Sequence, residues 1–219
     1  FNVKKDNIII GDLPRNDCLI KIKDDEQKSI KDKLDITYDK KVLLYMPTFR
    51  EFDRDILNGC IITPPINFQK WETLLSDEYV LLFRAHYEIA KYIDIPQNSS
   101  FVIDVSNYDC TSELLKIADI LISDYSSVYF DFAITERPML NFSYDYENYC
   151  KYRGLYFDIT EALGINLNLT EDELLKEIVE LNCSKYSKNV IKFKETYAPY
   201  AGNATEIIVD KIKKIIKQQ

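Results

Sequence analysis

Short, uninterrupted apolar runs recur along this chain, separated by stretches with a helical pattern of charged and apolar residues. The runs are VLLYM at 42–46, YVLLF at 79–83, FVI at 101–103, ILI at 120–122 and PMLNF at 138–142, and each is typical of a strand buried on both faces. Segments 26–34, 68–75, 112–117 and 127–135 have helical patterns. Buried strands that alternate with helices indicate a parallel sheet covered on both sides. We therefore predict an α/β fold with a Rossmann-like, doubly wound parallel sheet.

The remaining segments extend this prediction. Residues 8–10 (III) are interpreted as a first strand, followed by a turn with a candidate helix cap at Asn16. Residues 51–65 indicate an irregular loop because Asp, Asn, Gly and Pro are frequent there. Thr111 is a candidate cap for the helix at 112–117, and TEDE at 170–173 has the capping-box pattern. The strand at 138–142 is expected to be the last, with helices after it, including a terminal helix at 203–217.

Composition limits the classes of protein that this chain can belong to. No Gly/Ser- or Pro-rich linker divides the 219 residues, so we predict one domain, with a core and flanking helices at 1–200 and a terminal helix at 201–219. The net charge of −8 argues against a nucleic-acid binder. Five scattered Cys residues without a CxxC pair, and a single His, predict free thiols and no metal site. The chain begins without Met and leads directly into the predicted strand at 8–10, so we expect it to be part of a longer protein.

The segment SDYSS at 123–127 follows a predicted strand and precedes a predicted helix. Ligands of open α/β sheets gather beyond the carboxyl ends of the strands, and the first turn of a helix presents unpaired N–H groups to anions. The hydroxyls of Ser126 and Ser127 would add donors to such a phosphate site. Alternatively, Ser126 only caps the helix, which is a common arrangement. There is no GxGxxG or P-loop pattern to indicate another kind of nucleotide site.

Two other strand ends carry side chains suited to phosphate. Thr48 and Arg50 follow the run at 42–46, and Arg84 and His86 follow the run at 79–83. A guanidinium can bind two phosphate oxygens at once, and His86 could donate a proton to a leaving diphosphate, since unperturbed histidine titrates near neutrality. A lone histidine is more often structural, so the residues by themselves leave both roles open. Asp104 follows a further strand and could simply end it.

Three other features have a structural and a functional interpretation. Asp119 and Asp131 could be solvated or act as caps. The Tyr-rich stretch at 144–156 could be a recognition surface, although packing is the favoured interpretation. In the terminal helix, isoleucines recur at helical spacing with lysines around them. That pattern suits contact with anionic lipid, but docking of the apolar stripe on the domain is favoured.

Together these segments resemble the CDP-glycerol glycerophosphotransferases of teichoic acid synthesis over nearly the whole chain. The matching segments are GDLPRND (11–17), LYMPTFR (44–50), RAH (84–86), ADILISDYSSVYFDFA (118–133), RP (137–138) and RGLYFD (153–158). Each is weak evidence by itself, but their order and spacing argue against a chance match. One departure is Tyr87, which follows His86 where the family usually has Pro.

The resemblance implies the C-terminal domain of a GT-B fold, in which two Rossmann-like domains face each other across a cleft and this one holds the donor. It implies transfer of glycerol phosphate, or ribitol phosphate in relatives, from a CDP-alditol to a teichoic-acid-like or capsular polymer, with release of CMP. By this resemblance, His86 would be catalytic and would assist departure of CMP. The residues that would bind the donor diphosphate are Arg50, Arg84, Ser126 and Ser127, and further candidates for nucleotide contact are Thr48, Asp104, Asp124 and Tyr125.

The resemblance also sets expectations for partners. CDP-glycerol or CDP-ribitol would be a substrate, no cofactor or metal is required, and a loosely bound divalent ion is left open. A polymeric or lipid-linked acceptor would be engaged through an N-terminal domain outside this chain, on the cytoplasmic side of the cell membrane and in peripheral contact with it. The family's other important His lies in that domain, so we expect this chain alone to bind a CDP-linked ligand weakly and not to catalyse transfer. Two alternatives stay open, namely a GT-B glycosyltransferase that uses a UDP- or CMP-sugar and a non-catalytic nucleotide-binding domain.

Overall fold

A central sheet of six parallel strands organises the chain. The computed structural model describes residues 3–4, 8–48, 50, 54–55, 59–60, 63–86, 93–96 and 99–217, without the side chains at 54–55, 59–60 and 183–185. The strands of the central sheet are β1 (Lys41–Tyr45), β4 (Tyr79–Phe83), β5 (Val102–Asp104), β6 (Ile120–Ser123), β7 (Met139–Phe142) and β8 (Leu167–Asn168). Their order is β5-β4-β1-β6-β7-β8, and every neighbouring pair is parallel. A separate antiparallel pair joins β2 (Arg54–Asp55) to β3 (Gly59–Cys60).

Helices cover both faces of the sheet. They are a 3-10 helix at Pro14–Leu19, then α1 (Asp24–Lys33), α2 (Phe68–Leu75), α3 (Thr111–Ile117), α4 (Val128–Ala133), α5 (Tyr146–Tyr152), α6 (Ile159–Leu163), α7 (Glu171–Val179), α8 (Cys183–Tyr197) and α9 (Ala204–Ile216). Alternate residues of β1 point into different cores, with Val42 and Leu44 in one apolar cluster and Leu43 and Tyr45 in the other. Burial on both faces explains the continuous apolar runs and confirms the predicted doubly wound fold.

The strand order reverses beside β1. From β1 the chain adds β4 and β5 on one side, and it then returns to place β6, β7 and β8 on the other side. In a doubly wound sheet, the crevice at such a reversal, beyond the carboxyl ends of the strands, is the usual ligand site. The loops that follow β1 and β6 therefore define where a ligand is expected.

Most predicted elements are confirmed with shifts of one or two residues at their ends, and α2 and β4 have the predicted bounds. The strand predicted at 8–10 is wrong. These residues are irregular, and Ile8 and Ile10 expose 56% and 74% of their surface. They line a groove with Ile207 and Lys211 of α9 instead of pairing with the sheet, and an apolar run does not by itself distinguish these two environments.

Three smaller predictions also need correction. Asn16 lies inside the 3-10 helix at Pro14–Leu19 and does not cap it. Thr111 is the first residue of α3, whose cap position is Cys110 and which has no side-chain cap bond. The strand at 138–142 is not the last, because β8 pairs with β7. A strand of two residues is too short to show an alternating pattern in the sequence, and the region around it is largely helical.

One expectation from composition finds support within the described part of the chain. Cys18, Cys110 and Cys150 are free thiols. The helices described here are all too short or too polar to span a bilayer. Part of the loop predicted at 51–65 lies outside the described residues, as do Phe49 and Tyr87.

The capping box at the start of α7 gives a test of local stability. Thr170 accepts a hydrogen bond from the Glu173 N–H at 3.3 Å, and the Glu173 carboxylate accepts one from the Thr170 N–H at 3.0 Å. We expect Thr170→Ala to lower the free energy of unfolding by about 1 kcal/mol. Thr111→Ala is the matched control and should change it by less than about 0.5 kcal/mol. Urea denaturation measures both, and equal losses would contradict the assignment of the caps.

Candidate functional site

The loops after β1 and β6 are fastened together at the reversal of the strand order. The Thr48 N–H donates to both carboxylate oxygens of Asp124, at 2.9 and 3.1 Å, and one of these oxygens also accepts from the Tyr125 N–H at 2.7 Å. The Ser123 hydroxyl donates to the carbonyl of Met46 at 2.7 Å. Asp124 is fully buried. Its carboxylate therefore fixes the backbone of two loops where a ligand is expected.

Arg50 lies behind these loops, with none of its surface exposed. Its Nη2 donates to Asp124 at 2.9 Å, and its Nε and Nη2 bind the two carboxylate oxygens of Asp145 at 2.6 and 2.9 Å. Its Nη1 donates to the Thr48 carbonyl at 2.5 Å. One guanidinium thus connects the end of β1, the end of β6 and the residue before α5. This position differs from the sequence expectation, in which Arg50 contacts the donor diphosphate.

Electrostatics keep this buried arginine charged. Burial by itself would lower the pKa of Arg50, but the charge of Asp124 and the hydrogen bond with Asp145 outweigh it and raise the pKa. Three tyrosine rings surround the guanidinium, with centroids 5.0, 5.3 and 5.4 Å from Cζ for Tyr125, Tyr144 and Tyr149. Such cation–π contacts are strongest away from water. Burial also raises the pKa of Tyr125, whose hydroxyl donates to Asp145 at 3.0 Å.

A pocket of about 640 Å³ opens directly in front of this network. Ser126 and Ser127 form one part of its wall, and residues 153–157 form another. Between them lie the rings of Tyr125 and Tyr149, which stack with centroids 3.7 Å apart. A volume of this size is typical of small-ligand sites, which combine apolar walls with a few placed polar groups. The pocket lies where the strand order predicts a ligand.

The two serines have different local roles. The Ser126 hydroxyl accepts a hydrogen bond from the Val128 N–H at 3.2 Å, while Ser127 is exposed and makes no side-chain cap bond. Capping and ligand binding are therefore compatible for Ser126, because its O–H can still donate. The helix that follows, α4, has only 6 residues, so its dipole adds less to an anion site than a long helix would.

Arg84, His86 and Asp104 lie at the same edge of the sheet but outside the pocket wall. Since β1 separates β4 from β6, the ends of those two strands are roughly 10 Å apart. Arg84 donates to the carbonyls of Val105 and Tyr108 at 2.8 and 2.7 Å, and burial lowers its pKa. Asp104 is exposed and accepts from the Ser106 N–H at 2.9 Å. His86 is exposed, three residues beyond Phe83, the last paired residue of β4.

Asp131 joins the pocket region to the start of the chain. It lies four residues after Ser127 in α4, and it binds Arg15 Nη2 at 3.0 Å and Asn16 Nδ2 at 2.5 Å. The 3-10 helix at Pro14–Leu19 is thereby held against α4. The sequence interpretation of Asp131 as a solvated or capping residue missed this contact. Its partners lie 116 and 115 residues away in the sequence, so no local pattern indicates the contact.

The chain matches the family described as CDP-Glycerol:Poly(glycerophosphate) glycerophosphotransferase over residues 1–214. It belongs to this transferase family.

Two similar relatives are named for different alditols, glycerol in one and ribitol in the other. The chain is 35% identical to a teichoic acid poly(glycerol phosphate) polymerase of Staphylococcus epidermidis, over 100% of the chain and 31% of the relative. It is 33% identical to a teichoic acid poly(ribitol-phosphate) polymerase of Bacillus spizizenii, over 97% of the chain and 34% of the relative. The chain thus spans about a third of the length of these relatives.

A solved structure of the wall teichoic acid polymerase TagF has a similar fold, with a TM-score of 0.85 and 35% sequence identity. The match covers 99% of this chain and 54% of the TagF chain. A further similar structure is a TagF variant soaked with CDPG, which has a TM-score of 0.84. These matches bear out the expected place of this glycerophosphotransferase domain in a GT-B type fold.

The site residues that we predicted from the sequence form one part of the pocket wall. Ser126, Ser127 and Tyr125 were candidates and line it, whereas Tyr149 and Arg153 line it without having been candidates. Asp145, which binds Arg50, was also missed. The Tyr-rich stretch at 144–156 contains one tyrosine that packs and one that is accessible to a ligand. Tyr144 packs on Arg50, and Tyr156 is exposed at the pocket.

The buried arginine gives a direct test of the network. We expect Arg50→Met to lower the free energy of unfolding by about 3–5 kcal/mol, because it leaves two carboxylates without their cation. Arg15→Met is the matched control, since the Arg15 side chain is 62% exposed in its pair with Asp131, and it should cost less than about 1 kcal/mol. Guanidinium denaturation measures both changes. A cost for Arg50→Met no larger than that of the control would refute the structural role.

Proposed function

We propose that this domain binds the CDP part of a CDP-alditol in the pocket beside Ser126 and Ser127. In the full protein, glycerol phosphate or ribitol phosphate would be transferred from that donor to a teichoic-acid-like or capsular polymer. The observation that carries the proposal is the position of the pocket, directly beyond β6 at the reversal of the strand order, with two hydroxyls in its wall.

The comparisons favour one class of ligand for this crevice. The family's description, which prints CDP-glycerol, and the TagF variant soaked with CDPG favour a cytidine diphosphate over other nucleotides.

The reaction would require one displacement at phosphorus. An acceptor hydroxyl attacks the phosphorus that carries the alditol, and the bond from that phosphorus to the bridging oxygen breaks, which releases CMP. In this proposal, Ser126 and Ser127 bind phosphate oxygens, and His86 stabilises the departing CMP by donating to it. The acceptor hydroxyl and the group that takes its proton would come from the rest of the protein. The proposal uses no cofactor.

The placement in the cell follows from the same chemistry. A polymeric or lipid-linked acceptor would bring the protein to the inner face of the cell membrane, with the nucleotide donor on the cytoplasmic side. Several residues of α9 are apolar and exposed beside lysines, which suits peripheral contact with anionic lipid.

Calorimetric titration with CDP, UDP and CMP tests the donor site. We expect weak binding with a clear preference for CDP, and a loss of about tenfold or more in the double variant Ser126→Ala, Ser127→Ala, because two phosphate donors are removed. The matched control is Ser29→Ala, Ser112→Ala, which changes two serines of α1 and α3, and it should bind like the unaltered chain. Equal affinity for UDP would favour a sugar-nucleotide transferase. Unchanged CDP binding in the double variant would refute the assigned pocket.

Turnover gives a separate test. We expect this chain, supplied with CDP-glycerol and a glycerol-phosphate-primed acceptor, to release no CMP above background, because the acceptor side of the reaction is assigned to the rest of the protein. Chromatographic detection of CMP measures this release, with a full-length relative as the positive control. Rapid release by this chain alone would contradict that division of roles.

A further inference from the structure

The proposed donor pocket needs a cation, because two serine hydroxyls do not balance the charge of a diphosphate. Arg50 is buried behind the pocket in its pairs with Asp124 and Asp145, and Arg84 follows a strand on the far side of β1. Among the described residues, Arg153 is the only charged side chain that lines the pocket. We propose that Arg153 is a donor-binding residue that holds a phosphate group of the nucleotide diphosphate together with Ser126 and Ser127. This inference rests on the proposed function.

The end of α5 fixes the position of Arg153. Its N–H donates to the Tyr149 carbonyl at 2.9 Å, and the Gly154 N–H donates to the same carbonyl at 3.1 Å. The chain then turns through Gly154, whose φ of +74° is a left-handed conformation that favours glycine. The turn ends the helix directly at the pocket, and the C-terminal end of a helix is a favourable place for a cation.

The side chain of Arg153 is tied to the aromatic wall. A side-chain hydrogen bond joins it to Tyr149, and burial raises the pKa of that tyrosine although the arginine opposes the shift. Tyr149 stacks on Tyr125, whose hydroxyl is bound to Asp145. A guanidinium carries five N–H donors in a planar fork, so Arg153 can bind Tyr149 and phosphate oxygens at once. The contact with Tyr149 orients the fork before a ligand arrives, which reduces the entropy cost of binding.

The rest of the segment at 153–157 is anchored at its other end. The Phe157 ring stacks on Tyr197, with centroids 5.6 Å apart and an angle of 8° between the rings. The next residue, Asp158, accepts from the Thr160 N–H at 2.8 Å and caps α6. The pocket wall that carries Arg153 is therefore attached to two helices, and Arg153 is held at the site by backbone and side-chain contacts.

Substitution of Arg153 followed by titration with CDP, CMP and cytidine tests this role. Arg153→Gln should weaken CDP binding about tenfold or more and leave cytidine binding unchanged, because the lost contact is to phosphate. Arg153→Lys should give an intermediate loss, since it keeps the charge but not the fork. The matched control is Lys151→Gln, which removes one positive charge from an exposed position two residues earlier. It should bind CDP like the unaltered chain.

The outcomes separate this inference from the proposed function. If Arg153→Gln binds CDP as tightly as the unaltered chain, the inference is overturned while the assignment of Ser126 and Ser127 stands. An equal loss for CDP and cytidine would also overturn it, because Arg153 would then only support the wall of the pocket. Failure of the unaltered chain to bind CDP would overturn the proposed function and this inference with it. Thermal unfolding of Arg153→Gln should match that of the control, since the side chain is exposed.

Discussion

The site depends on one buried guanidinium that bridges two carboxylates. Arg50 binds Asp124 after β6 and Asp145 before α5, while its own backbone segment follows β1. Removing one member of such a group leaves an unpaired buried charge, which is far more costly than the loss of an exposed pair. The three segments that meet at the reversal of the strand order are therefore fixed relative to one another. Because Asp145 also binds Tyr125, the same network orients the aromatic wall of the pocket.

The site combines a buried hydrogen-bond network with accessible groups that line the pocket. Arg50 and Asp124 have no exposed surface, whereas Ser127 and Arg153 are exposed at the pocket. A nucleotide would thus meet accessible donors on a buried, hydrogen-bonded support, and preorganisation of this kind reduces the cost of binding. In this account, Arg50 positions the groups that bind the donor, and Arg153 supplies the charge that binds it.

The architecture could be predicted from the sequence because strands that are buried on both faces have continuous apolar runs. The sequence also placed SDYSS at the edge of the sheet where ligands are expected, because residues that follow a parallel strand lie at its carboxyl end. The failures have physical causes as well. The run at 8–10 lies beside α9 with much of its surface exposed, and an apolar run does not by itself distinguish that position from a buried strand.

The arginine roles could not be derived from local sequence. Arg50 and Arg84 both follow strands, yet Arg50 is enclosed by carboxylates that lie 74 and 95 residues away, and Arg84 donates to backbone carbonyls. Arg153 follows no strand, and it reaches the pocket only because α5 ends there in a left-handed turn at Gly154. Tertiary contacts of this kind leave no short-range signal. Arg153 stands in the matching segment at 153–158, but that segment by itself indicates no role for it.

A crystal structure of this chain with CDP would test the central claim most directly. The account predicts that the diphosphate lies within hydrogen-bond distance, roughly 2.7–3.2 Å, of Ser126, Ser127 and Arg153. It also predicts that Arg50 stays bound to Asp124 and Asp145. A diphosphate bound elsewhere, or an Arg50 that leaves its carboxylates to contact the nucleotide, would contradict it.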